Sequence, residues 1–145
     1  MQVISTTHRP DILVTAPEGR PLLVVEVKRI PFYQEALEEL AENSEAIGPE
    51  FVMTVDPEQI VAAPTLNGVP QWDRSITLTT SSILNHYGDV GILDRIEKFY
   101  LESLTEAWLR DFSFSWKFPH APGFDELEQI GLASRLRHSE THSPR

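Results

Sequence analysis

Three charged residues in the first thirty have types and spacing suited to chemistry: Asp11, Glu26 and Lys28. Asp11 opens the apolar run Ile12-Leu13-Val14, and Glu26 and Lys28 close the run Leu22-Leu23-Val24-Val25. Between the runs lies Pro17-Glu18-Gly19-Arg20-Pro21, a turn-forming stretch, so the segment reads as a β-hairpin. A turn centred between Glu18 and Gly19 puts Asp11 opposite Glu26. Lys28 is two residues further on and projects from the same face as Glu26. Two carboxylates and an ammonium then converge at one end of an apolar hairpin. A buried carboxylate must be paired, hydrogen-bonded or metal-bound. Two carboxylates together suit a hard cation such as Mg²⁺, which takes one or two of them plus waters and phosphate oxygens. Lys28 would orient or deprotonate a water, or stabilise charge on a phosphate. The plain alternative makes Asp11 the first residue of a strand and Glu26–Lys28 an edge ion pair. Against it, Val24-Val25-Glu26-Val27 is apolar on both faces, which reads as a central strand.

Pro10-Asp11 and Glu26-Val27-Lys28 resemble the motif of the PD-(D/E)xK nuclease superfamily, over roughly residues 9 to 60. The resemblance implies an α/β fold of restriction-endonuclease type, with a mixed sheet of about four or five strands flanked by helices. It implies Mg²⁺ or Mn²⁺ held by Asp11, Glu26 and the backbone carbonyl of Val27, with Lys28 assisting the attacking water. DNA would be the substrate, its phosphates met by Arg9 and Arg29. Gln34 and Tyr33, on the helix after the motif strand, stand where some members contact DNA. Their alternative reading is a solvated glutamine and a packing tyrosine. Members that cut both strands are often homodimers. The family usually has a helix before its first motif strand, often bearing another Glu. Here Met1 to Arg9 precede Asp11 and contain no acid. An inactive interaction protein on the same scaffold, or a subunit completed by a partner, therefore stands beside the nuclease reading.

Charge bears on that choice. The 145 residues carry a formal net charge of −10, which opposes non-specific nucleic-acid binding. The excess is local. Residues 1–30 hold four bases against three acids, whereas residues 31–60 hold eight acids and no base. DNA would approach on the Arg9/Arg29 side. The absence of cysteine excludes disulfides and cysteine nucleophiles. No apolar run is long enough for a bilayer and no leader pattern opens the chain, so the expectation is a cytoplasmic protein without a membrane partner.

The remaining elements must position the hairpin. A helix is predicted over residues 31–47, with Pro31 in its first turn and an apolar stripe of Tyr33, Leu37, Leu40, Ala41, Ser44 and Ile47. Its glutamates would line the outer face, and Gly48-Pro49 would end it. Strands are expected at Phe51–Val55 and Gln59–Ala63. Asn67-Gly68 signals a tight turn joining Pro64–Leu66 to Val69–Trp72. Ser75–Thr79 reads as a half-exposed strand, and Thr80 or Ser81 as the cap of a short helix. Residues 92–112 read as a longer helix with an aromatic stripe. That stripe either completes the core or forms a dimer face. A last helix is expected from Asp125 to Leu136. The expected organisation is one domain over residues 1–137, with 138–145 a disordered polar tail. His86 and His120 have no partner at ligand spacing and read as surface or packing residues.

Overall fold

The computed structural model describes residues 9–29, 33–89, 97–114 and 120–143, with the side chains of residues 33–36 excepted. The hairpin is β1 (Ile12–Thr15) and β2 (Pro21–Val27). They pair antiparallel, with Ile12 opposite Val25 and Leu13 opposite Val24, the register expected from the turn. A one-residue shift occurs at Thr15, which faces Pro21. The turn closes one residue short of symmetric, through Ala16 N–H to Arg20 O and Gly19 N–H to Ala16 O. Gly19 supplies the left-handed φ of +94° that this closure needs.

Helix α1 (Tyr33–Ile47) crosses over to β3 (Phe51–Val55), which pairs parallel to β2. Parallel neighbours require such a crossover. β4 (Gln59–Leu66) returns antiparallel to β3. Its far end turns through Asn67 (φ +53°) and Gly68 (φ +80°) into β5 (Val69–Pro70). Two positive φ values in a row are what an Asn-Gly hairpin turn supplies. After a short 3-10 turn at Trp72–Arg74, β6 (Ile76–Thr79) pairs with the other half of β4. Helices α2 (Thr80–Leu84), α3 (Lys98–Phe112), α4 (Phe124–Glu128) and α5 (Leu132–Arg135) follow, then β7 (Glu140–His142).

Three expectations are corrected here. The sheet has seven strands rather than four or five, in the order β5-β4-β3-β2-β1-β7 with β6 also on β4. The polar tail at 138–145 contributes one of them: Glu140–His142 pairs antiparallel with β1. Strand pairing is made by the backbone, and the open edge of β1 offers it partners whatever the side chains are. The helix expected over Asp125–Leu136 is two short helices, parted where Gly131 adopts φ +83°. The expected start of the longer helix, at 92–96, lies outside the described residues.

β2 is central and buried from Leu22 to Val27, and the period-2 alternation splits the core in two. Val24, Val52 and Ala63 face α1 through Leu40, with Leu13 and Ile47 against them. Ile12, Val14, Val25, Val27, Met53 and Val55 face the other way, onto Leu101, Leu104, Trp108, Leu109 and Phe112 of α3. The aromatic load divides accordingly. Trp108 and Phe112 are in the core, while Phe99, Tyr100 and Phe114 are exposed. Among the described residues no helix is long and apolar enough to cross a membrane.

Candidate functional site

The site lies where β1 begins and β2 ends, on the face covered by α1. Asp11 and Leu13 share one parity of β1, and Val24 and Glu26 share one parity of β2. The apolar pair packs on α1 and the acidic pair continues that face to its rim. Asp11 Oδ2 accepts a hydrogen bond from Val27 N–H at 2.8 Å. The carboxylate thus caps a backbone donor at the strand's end, and its position is fixed by the hairpin.

Glu26 is 1% exposed, in a strand that is otherwise wholly apolar. Asn43 of α1, also buried, donates to its Oε2 at 2.8 Å. Burial, the negative charges of Asp11 and Glu39, and hydrogen bonds shared with both carboxyls push the Glu26 pKa up to about 9. Burial disfavours the charged form and neighbouring anions disfavour it further, so Glu26 holds a proton at neutral pH. Lys28 lies one step beyond β2, where its N–H donates to Val55 O and continues the parallel ladder. Its ammonium pairs with Glu39 Oε1 at 2.5 Å. The reading that set Glu26 and Lys28 on one face therefore agrees with the partners each finds on α1, four residues apart.

A second cation comes from far along the chain. Lys98, the first residue of α3, donates to Asp11 Oδ1 at 2.9 Å and approaches Glu102 Oε2 at 3.6 Å. Burial works against its charge, but the hydrogen bond and charge of Asp11, with Glu102 and Glu26 behind it, hold its pKa above the ordinary lysine value.

Four residues of this cluster escape the sequence reading: Glu39, Asn43, Lys98 and Glu102. Asn43 had a signal. It shares the buried helical face with Leu40 and Ile47, where a polar residue needs a partner. The expected stripe holds at Leu40 and Ser44, which are buried, and is corrected by rotation elsewhere: Asn43 is buried and Ala41 is exposed. Glu39 faces Lys28 instead of lining the outer face. Lys98 and Glu102 had no local signal, because only the packing of α3 brings them to residue 11. Arg9 and Arg29 are exposed beside the site. The side chain of Gln34 lies outside the described residues. His86 bonds Ile83 O and His120 stacks on Phe124, both local packing roles.

The donor set is all oxygen and fits a hard divalent cation. Asp11 and Glu26 share a face, and Glu26 carries a proton that a cation would displace. Among the described residues no group of three or more His, Cys, Asp or Glu is arranged around one ion position. A cation held by Asp11 and Glu26 would thus complete its shell with water or substrate oxygens, as Mg²⁺ commonly does. Comparison with family models, with curated proteins and with solved structures finds no match to this chain. The chemistry of the site rests on its own residues.

Proposed function

We propose that this protein is a divalent-metal-dependent phosphodiesterase acting on DNA, built on a restriction-endonuclease-like variant of its mixed sheet. The carrying observation is Glu26. A carboxyl almost wholly buried, with two more carboxyls within hydrogen-bonding reach, is costly in an apolar strand. A divalent cation gives that arrangement a purpose. In this reading Asp11 and Glu26 hold Mg²⁺ or Mn²⁺, with the Val27 carbonyl as a further oxygen. When bound, the cation supplies a Lewis acid for a phosphoryl oxygen and a more acidic water. Lys28, steadied by Glu39, orients the attacking water or donates to the phosphate. The water oxygen joins phosphorus and gives up a proton to solvent, the P–O bond to the leaving nucleotide breaks, and the leaving oxygen takes up a proton from solvent. Arg9 and Arg29 contact flanking phosphates without reading sequence.

A second reading is favoured by the ion pairs themselves. Lys28–Glu39 and Lys98–Asp11 neutralise much of the cluster internally, which a nuclease-like interaction module or a partner-dependent subunit would tolerate. One set of samples separates the two. Mn²⁺ calorimetry and plasmid nicking are measured on wild type, Asp11→Asn, Glu26→Gln and Lys28→Met. The nuclease reading expects metal binding to be lost in the first two variants. It expects Lys28→Met to bind metal and nick about 10²–10⁴-fold more slowly. Binding without nicking in wild type would support the partner-dependent reading. Neither binding nor nicking would eliminate the catalytic one.

A further inference from the structure

Lys98 stands out once the metal reading is adopted, and the following inference rests on that reading. A lysine at the first position of an α-helix opposes the helix dipole, whose amino end favours anions. The N-cap of α3 is an acid, Glu97, and its first turn holds none; the shortest ion pair Lys98 makes is outside its own helix, to Asp11. Its partners are Asp11, 87 residues away in the chain, and Glu102 on the next turn. Two carboxylates, those of Asp11 and Glu102, lie within ion-pair reach of its ammonium. The side chain is also 44% exposed, so the ammonium has an open route to water. Asp11 by contrast is fixed, because Val27 N–H holds its other oxygen.

We propose that Lys98 is the resident counter-ion of the Asp11/Glu26 pair, and that metal uptake is a cation exchange in which its ammonium leaves Asp11 Oδ1 as the divalent ion arrives. Without metal, the positive charge of Lys98 balances the single negative charge of the pair, that of Asp11, because Glu26 is protonated. With metal, the same charge is in excess, and Lys98 turns toward Glu102 and solvent. Lys98 is a positioning residue for the metal rather than a group that touches the reacting atoms. Its presence weakens metal binding and makes the site selective for ions of charge two or more, since a monovalent ion gains nothing by replacing an ammonium.

The test is Mn²⁺ affinity by calorimetry for wild type, Lys98→Met, Lys98→Arg and the control Arg74→Met. Arg74 is exposed and outside the cluster, so its loss changes net charge alone. Melting temperatures without metal are measured on the same samples. The expected result is Mn²⁺ binding at least tenfold tighter in Lys98→Met and weaker in Lys98→Arg, whose forked guanidinium grips a carboxylate harder. Arg74→Met should shift affinity less than threefold. Without metal, Lys98→Met should melt lower than wild type, and excess Mn²⁺ should reverse that order. Equal affinity in wild type and Lys98→Met would overturn the inference and leave the metal reading intact. An equal gain in Arg74→Met would also overturn it, by reducing the effect to net charge. If neither wild type nor Lys98→Met binds Mn²⁺, the metal reading fails and the exchange fails with it.

Discussion

At the scale of single residues, Glu26 makes the sharpest prediction. Its folded-state pKa of about 9 lies well above the ordinary 4.5. Between those values the folded chain binds a proton that the unfolded chain releases. Stability therefore falls as pH rises through this window, and the contribution of Glu26 is fully present only below the unfolded value. Glu26→Gln keeps the shape and a hydrogen-bonding group without the titration. It should be more stable than wild type at pH 8 by about 1–3 kcal/mol, a range seen when costly buried charges are replaced. The advantage should vanish near pH 4.5. Urea midpoints at both pH values check this, and equal midpoints at pH 8 would refute the assigned burial cost. Asn43 gives the companion case. Asn43→Ala leaves Glu26 Oε2 without its donor and should cost about 1–3 kcal/mol. Combined with Glu26→Gln the cost should not be the sum, because the two side chains share one interaction.

At the scale of elements, the hairpin was legible and its neighbours less so. Asp11 could be set opposite Glu26 because a short turn fixes register locally, and the pairing of Ile12 with Val25 bears that out. The Asn67-Gly68 turn was equally readable, since only a few residue types accept its backbone angles. Gly68 should be hard to replace for a second reason: an added Cβ would come within 3.2 Å of Ser44 O. Gly68→Ala is expected to lose about 1–3 kcal/mol, read as a lower melting temperature. β7 could not be read. Glu140-Thr141-His142 has no apolar run, and it is a strand only because β1 has an edge to fill. Deleting residues 139–145 should cost about 2–4 kcal/mol from the lost ladder. It should also expose the edge of β1 to intermolecular pairing, visible as faster-eluting species in size-exclusion chromatography. Lys98 marks the limit of local reading. No spacing rule links residue 98 to residue 11, because the link is made by α3 packing its apolar stripe on the opposite face of the sheet and carrying its first residue to the rim.

At the scale of the whole molecule, the question is how a chain of net charge −10 would hold a polyanion. The acids are not spread evenly. α1 carries five glutamates and no base, and of these Glu39 is drawn to Lys28. The cations beside the site are Arg9 and Arg29 at its exposed margin, Lys28 paired with Glu39, and Lys98 paired with Asp11, which the proposed exchange would release. With Lys28 held by Glu39, a complex made through Arg9, Arg29 and the released Lys98 would neutralise about three phosphates, so the slope of log K against log salt should be near −3. Affinity should accordingly be weak at physiological salt and should depend on the metal, which adds charge where the chain has little. Fluorescence anisotropy of a labelled 20-bp duplex, between about 50 and 200 mM salt, measures the slope. Ca²⁺ in place of Mg²⁺ would be used to suppress cleavage. Arg9→Ala and Arg29→Ala should each lower the slope by about one and weaken binding to all sequences alike. A slope steeper than about −6 would mean that DNA lies on some other basic surface. Complete absence of binding with metal present would favour the partner-dependent subunit, whose basic surface is supplied by a second protein.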